Sequence, residues 1–225
     1  MCFAPEADLI GGIVVGGAGI DALRHVAHRR EFAVAALPVV FGVHQVIEAL
    51  AWWGLDGVVP AGLGRAAMWA YLVIAFLLPA AVPLAIGSLE EDRRRRRTIA
   101  PFALLGLAVS ITLLVRLFSG PVSVEDAGLY LAYDVDLDYG GQITALYVVA
   151  TCVPLLLSTR PRIVVFGVLN LAAVAVLAWL MASGVISLWC AWAAVASLLI
   201  VLHLRIGEET ATTGAPRAAG SLGGR

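Results

Sequence analysis

Apolar residues along this chain come in long runs, separated by short polar breaks. Seven runs stand out, at about 8–24, 32–54, 64–87, 98–118, 142–158, 163–183 and 184–206. A helix that crosses a bilayer needs about 20 mostly apolar residues. Each run therefore predicts one spanning helix, the first and fifth being short. The breaks are "RHVAHRRE", "LDGVVPAG", "SLEEDRRRRR", a 23-residue polar segment at 119–141, "TRPR" and "ASG". Ser183-Gly184 divides what would otherwise be one long terminal run. The pattern predicts an all-α fold: a single integral membrane bundle of seven transmembrane helices over 1–206. A small, polar, disordered tail is predicted at 207–225.

Composition strengthens that reading. The chain is 61% hydrophobic and 14% charged, with a mean hydropathy of +0.93. Soluble domains are nearer about 45–50% apolar and about 25% charged. The net charge of -1 implies no nucleic-acid partner. The expected place is a bacterial inner (plasma) membrane, as a multi-pass protein. The start, "MCFAPEADL", lacks a basic region, so no cleavable signal peptide is expected.

Arginine sets the expected orientation. Every basic residue is arginine, and the chain has no lysine. Arg24, Arg29 and Arg30 fall in the first break, Arg93 to Arg97 in the third, Arg160 and Arg162 in the fifth, and Arg205 after the seventh run. The even breaks hold only Arg65, near a span end. Basic loops stay inside, so the N-terminus is expected outside and the C-terminus in the cytoplasm. Trp52, Trp53, Trp69, Trp179 and Trp189 would then lie near the outer ends, as an aromatic belt does. The five-arginine run reads as a topology anchor and an anionic-lipid contact.

Two features concern packing. Gly12 and Gly16 form a small-xxx-small pair that permits close helix approach. Prolines 38, 79, 83, 101 and 154 fall in or at the ends of spans and predict kinks.

The chemistry concentrates in "FGVHQVIEALAWWG", residues 41 to 54. His44, Glu48 and Trp52 recur at i, i+4 and i+8 and share one helix face, and Gln45 flanks it. Counting from Phe32 at 1.5 Å per residue, His44 lies roughly 18 Å and Glu48 roughly 24 Å along the span. An isolated ion there costs at least about 2.5–3.5 kcal/mol. Glu48 must therefore face inward, either protonated or paired. A carboxyl kept protonated in a dry pocket is a candidate general acid. The structural alternative is a glue in which Glu48, His44 and Gln45 meet Arg116 across helices.

Other constellations carry less. In "YDVDLDYG", residues 133 to 140, Asp134, Asp136 and Asp138 would share one side of an extended segment. No EF-hand spacing accompanies them, and no HxxxH or HExxH pair exists, so no metal or other cofactor is expected. With Tyr130, Tyr133 and Tyr139 the segment would fold over the outer mouth as a lid. Cys152 and Cys190 read as small core residues. Cys2 would be an external thiol. Seven spans with an outer N-terminus suit a retinal protein, but the Schiff base needs a lysine, and there is none.

The start "MCFAPEA" and the stretch "LPVVFGVHQVIEALAW" resemble an uncharacterised bacterial seven-span family. That family opens Met-Cys-Phe-Ser and carries LPxxFGxxQxxEGxxW in its second span. Here Ala4 replaces the serine and Ala49 the glycine. The resemblance points to Cys2, Gln45 and Glu48 and implies the topology without an activity. A weaker resemblance is to membrane-bound terpene cyclases, which have seven spans and a glutamate near tryptophan in the second. It implies that Glu48 protonates an epoxide or alkene. That family's second acid, late in the chain, has no match in span seven.

The leading expectation is a membrane-embedded enzyme acting on an isoprenoid or other lipophilic small molecule. Glu48 would be the proton donor, with His44 and Gln45 setting its protonation and orientation. Trp52, Tyr71, Arg116, Trp189 and Trp192 would line the substrate pocket. The alternative class is a non-enzymatic receptor-like, transport or scaffold protein in which Glu48 pairs with Arg116. The sequence names no protein partner; membrane lipids surround it in either case.

Overall fold

The computed structural model describes residues 4–26, 28–180 and 185–202. Cys2, the break at 181–184, His203, Arg205 and the expected tail at 207–225 lie outside the described residues. Among the described residues, seven helices coincide with the seven apolar runs: α1 Pro5–Arg24, α2 Phe32–Leu55, α3 Ala61–Leu89, α4 Arg93–Ser119, α5 Gly140–Leu156, α6 Pro161–Leu180 and α7 Val185–Ala196. After a turn at Ser197, the helical backbone resumes to residue 202. Among the described residues, α2, α3, α4 and α6 are long and apolar enough to cross a membrane. This is a helical, membrane-embedded protein.

Local chemistry fixes the ends. Pro5 opens α1, where its missing N–H is harmless, and Glu6 and Asp8 sit in the positive first turn. The Asp92 side chain caps α4 by accepting from the Arg94 N–H at 2.9 Å.

Neighbouring helices pack in chain order from α1 to α4. α5 sits against α3, α4 and α6, and α7 returns to α1 and α2, closing the bundle. Small residues set three of the approaches. A side chain at Gly12 would sit 2.6 Å from the Gly42 carbonyl, and one at Gly19 would sit 2.6 Å from the Val39 nitrogen. The contacts descend α2 as they climb α1, so the two helices are antiparallel. Gly54 meets Gly64 where α2 and α3 converge. Gly106 lets α4 settle on the Pro79 carbonyl. Pro83 has no N–H to offer that carbonyl, so a Cα–H of α4 lies where a backbone donor is missing.

The polar segment between α4 and α5 is not wholly irregular. It holds an antiparallel hairpin, β1 Val122–Asp126 and β2 Leu131–Val135, with Val124 opposite Tyr133. Gly128 takes the left-handed conformation in its turn, and Asp126 accepts from the Gly128 N–H at 2.6 Å. A lone hairpin is marginal in water. This one buries Leu131, Tyr133 and Val135 against the bundle, which places it over one end as a cover.

The opposite end carries the arginine-rich breaks and a carboxylate latch. Glu90, only 1% exposed, accepts from the Ser158 hydroxyl at 2.7 Å, the Thr159 N–H at 2.9 Å and the Thr159 hydroxyl at 2.7 Å. Arg160 approaches Glu91 at 3.8 Å, and Arg95 donates to the Leu157 carbonyl at 3.4 Å. The α3–α4 and α5–α6 connections are thereby tied together. Burial alone would raise the Glu90 carboxyl; the Ser158 and Thr159 hydrogen bonds and the Arg160 charge outweigh it and hold it below its usual range.

Candidate functional site

The core has two apolar layers. One, near the arginines, holds Phe41, Ile86, Ile99 and Phe166; the other holds Trp52, Tyr71, Phe76 and Tyr133. Between them on α2 lie His44, Gln45 and Glu48, which are 1%, 4% and 0% exposed. The i, i+4 stripe thus faces inward, as its spacing implied.

Each polar group has a position fixed by a neighbour. Gln45 Nε2 donates to Glu48 Oε2 at 3.4 Å. His44 Nε2 lies 3.0 Å from the Tyr71 carbonyl, which makes Nε2 the protonated nitrogen, because a carbonyl only accepts. Nδ1 is then an acceptor in the neutral ring, and it has no hydrogen-bond partner among the described residues. The His44 and Tyr71 rings stack at 3.8 Å, and Tyr71 and Tyr133 stack at 4.7 Å. This three-ring column joins α2, α3 and the hairpin.

Two hydroxyls and a second carboxyl complete the site. The Tyr71 and Ser187 hydroxyls stand beside the Glu48 side chain, and Asp8 is its electrostatic neighbour. Asp8 and Ser187 are 1% and 0% exposed. The sequence reading passed over both. Asp8 lies in phase with Gly12, Gly16 and Gly19, the α1 stripe that packs on α2, and that phase was the available signal. Ser187 gave none, being a single hydroxyl in an apolar run.

A cavity of about 140 Å³ lies beneath the hairpin, lined by Phe76, Leu113, Tyr133, Val135 and Trp189 among others. A smaller one of about 40 Å³ continues toward Phe41 and Phe166. Tyr147, Trp189 and Cys190 line both. Cys190 also meets the Tyr71 hydroxyl and the electrostatic field of Glu48, so the polar site adjoins the cavities through that residue. The Trp189 indole donates to Asn170 Oδ1 at 3.3 Å.

The expected pocket residues divide. Trp189 lines the cavities, and Tyr71 stands behind Tyr133. Trp52 is 4% exposed and packed in the core, not turned to a membrane belt. Trp192 is 39% exposed and faces away from the interior. Arg116 does not reach Glu48. It pairs with Asp138 at an exposed position, because the α4–α5 connection brings that aspartate to the end of α4, where a charged pair stays hydrated. Asp138 is thereby taken from the aspartate row, and Asp134 stands exposed on β2.

The chain belongs to a family of unknown function (DUF6629), whose model matches residues 1–216. No curated protein and no solved structure matches it, terpene cyclases included.

Proposed function

We propose that this membrane protein is an enzyme that protonates an isoprenoid or other lipophilic substrate. The single observation that carries the proposal is Glu48: a fully buried carboxyl, held by Gln45 and flanked by Tyr71 and Ser187, beside an aromatic-lined cavity. Two neighbouring carboxyls in an apolar interior resist carrying two charges, so the Asp8 and Glu48 pair keeps at least one proton. Glu48 gives that proton to an alkene carbon or an epoxide oxygen of the substrate. The Tyr133, Tyr147 and Trp189 rings face the cation that forms. Loss of a proton from the cation to the Glu48 carboxylate restores the acid and closes the balance. Gln45 orients the carboxyl. His44, through its Tyr71 hydrogen bond and stack, holds the column against which the site is built.

The same proposal places all seven helices across the membrane, with the N-terminus outside and the hairpin over the outer mouth. The support is the gathering of arginines in alternate connections. A reporter fused after Arg225 should be active only in its cytoplasmic form. For the chemistry, membranes containing the protein are incubated in D2O with a panel of isoprenoid alkenes and epoxides. Deuterium fixed on carbon in a product rearranged from an alkene, or an epoxide converted to a rearranged alcohol, supports protonation. A receptor-like, transport or scaffold protein would convert none of them.

A further inference from the structure

At the arginine-rich end, the outer wall of the bundle carries a groove of about 690 Å³ between α3 and α4. Its ridges are Leu84, Leu104 and Leu107, exposed by 61%, 70% and 49%. Its polar mouth is formed by Arg30, from the α1–α2 connection, and Arg96, from the first turns of α4. The Ser88 hydroxyl donates to the Arg30 carbonyl at 3.2 Å, which ties that arginine to α3 beside the groove. Arg96 spends one guanidinium nitrogen on the Glu90 carbonyl, at 3.3 Å. Neither guanidinium has an ion pair among the described residues.

The shape and charge select an occupant. From Arg96 to Leu107 the groove runs about 16 Å along α4 at the helical rise, close to half the roughly 30 Å hydrocarbon core of a bilayer. An acyl chain from one leaflet fits that length. Two guanidinium forks at one end match phosphate oxygens, at the depth where basic residues meet headgroups. A soluble anion would leave the leucine ridges unused; a lipid without a phosphate would leave the arginines unpaired, and a zwitterionic one would bring its own cation beside them.

We propose that this groove binds an anionic phospholipid, its phosphate between Arg30 and Arg96 and one chain along Leu84, Leu104 and Leu107.

The test is native mass spectrometry of the full-length protein in detergent, titrated with dioleoylphosphatidylglycerol, dioleoylphosphatidylcholine or inorganic phosphate. Three proteins are compared: wild type, R30Q/R96Q, and R93Q/R94Q, which loses equal charge outside the groove. The wild type should bind phosphatidylglycerol in preference to phosphatidylcholine. R30Q/R96Q should weaken that binding about thirtyfold, and R93Q/R94Q about threefold or less. If the double variant does not fold, R30Q and R96Q are measured singly, each expected to weaken binding about fivefold. Equal losses in the two double variants would reduce the effect to general charge and overturn the proposal. Equal binding of the two lipids, or phosphate binding as tightly as phosphatidylglycerol, would also overturn it.

Discussion

The Tyr147 hydroxyl donates to the Ala75 carbonyl at 2.8 Å, and Ala75 is the residue whose helical donor position is taken by Pro79. Proline has no N–H, so that carbonyl would be unsatisfied inside the bundle. A side chain from α5 supplies the missing bond and pins α5 to α3 beside the cavities. Tyr147→Phe should lower stability by about 1 kcal/mol. In a Pro79→Ala background, which restores the backbone donor, the same change should cost much less. Thermal unfolding of the four proteins in detergent gives the cycle. Equal Tyr147→Phe effects in both backgrounds would sever the two residues.

The α1–α2 contact makes a second prediction. A Cβ at Gly12 would lie 2.6 Å from the Gly42 carbonyl and 2.8 Å from Val46 Cγ2, whereas one at Gly11 meets nothing within 4 Å. Gly12→Ala should destabilise by about 1–3 kcal/mol through overpacking. Gly11→Ala should be neutral or stabilising by up to about 1 kcal/mol. Denaturant titrations in mixed micelles compare them, and a larger loss at Gly11 would contradict the assigned face.

The Glu90 latch predicts a pH dependence. Its folded carboxyl lies below the ordinary value of 4.5, so its contribution is fully present above pH 4.5. It fades as pH falls through that value toward the lower folded one. Glu90→Gln should cost about 1.5–3 kcal/mol at pH 7, and the two melting curves should converge as pH falls below the folded value. Parallel pH profiles would mean that the carboxylate charge contributes nothing.

Apolar run lengths were enough to place all seven helices, because burial and membrane solvation both act through that pattern. The glycine stripe of α1 and the inward stripe of His44, Glu48 and Trp52 were legible for the same reason: both follow the helical period. The hairpin was not. Val122 and Val124, then Leu131, Tyr133 and Val135, alternate in period two, but five-residue strands form here only because the bundle end offers them a surface. Glu90 sits without distinction in the polar break "SLEEDRRRRR"; its partners lie about seventy residues away. The Arg116 assignment failed because depth along a helix says nothing of azimuth, and a closer, hydrated carboxylate was available at Asp138.

The hairpin's role as a cover predicts a change in thiol access. Tyr133 is 8% exposed, stacks on Tyr71 and lines the larger cavity, where Cys190 is 5% exposed. In a Cys2→Ser, Cys152→Ser background, Cys190 should resist a water-soluble maleimide. Tyr133→Ala should speed its labelling about tenfold or more, since local opening governs access. Unchanged labelling of a folded variant would show that the hairpin does not seal this end.

The role proposed for Glu48 is that of an acid acting on a lipid-soluble substrate. Its most direct test is mass spectrometry of whole lipid extracts from three strains: gene deleted, complemented with wild type, and complemented with Glu48→Gln at matched protein level. A metabolite restored by wild type should be absent, or reduced at least about a hundredfold as for loss of a general acid, with Glu48→Gln. Identical extracts from all three strains, or full restoration by Glu48→Gln, would contradict that role and leave the buried carboxyl as a structural tie between α1, α2 and α7.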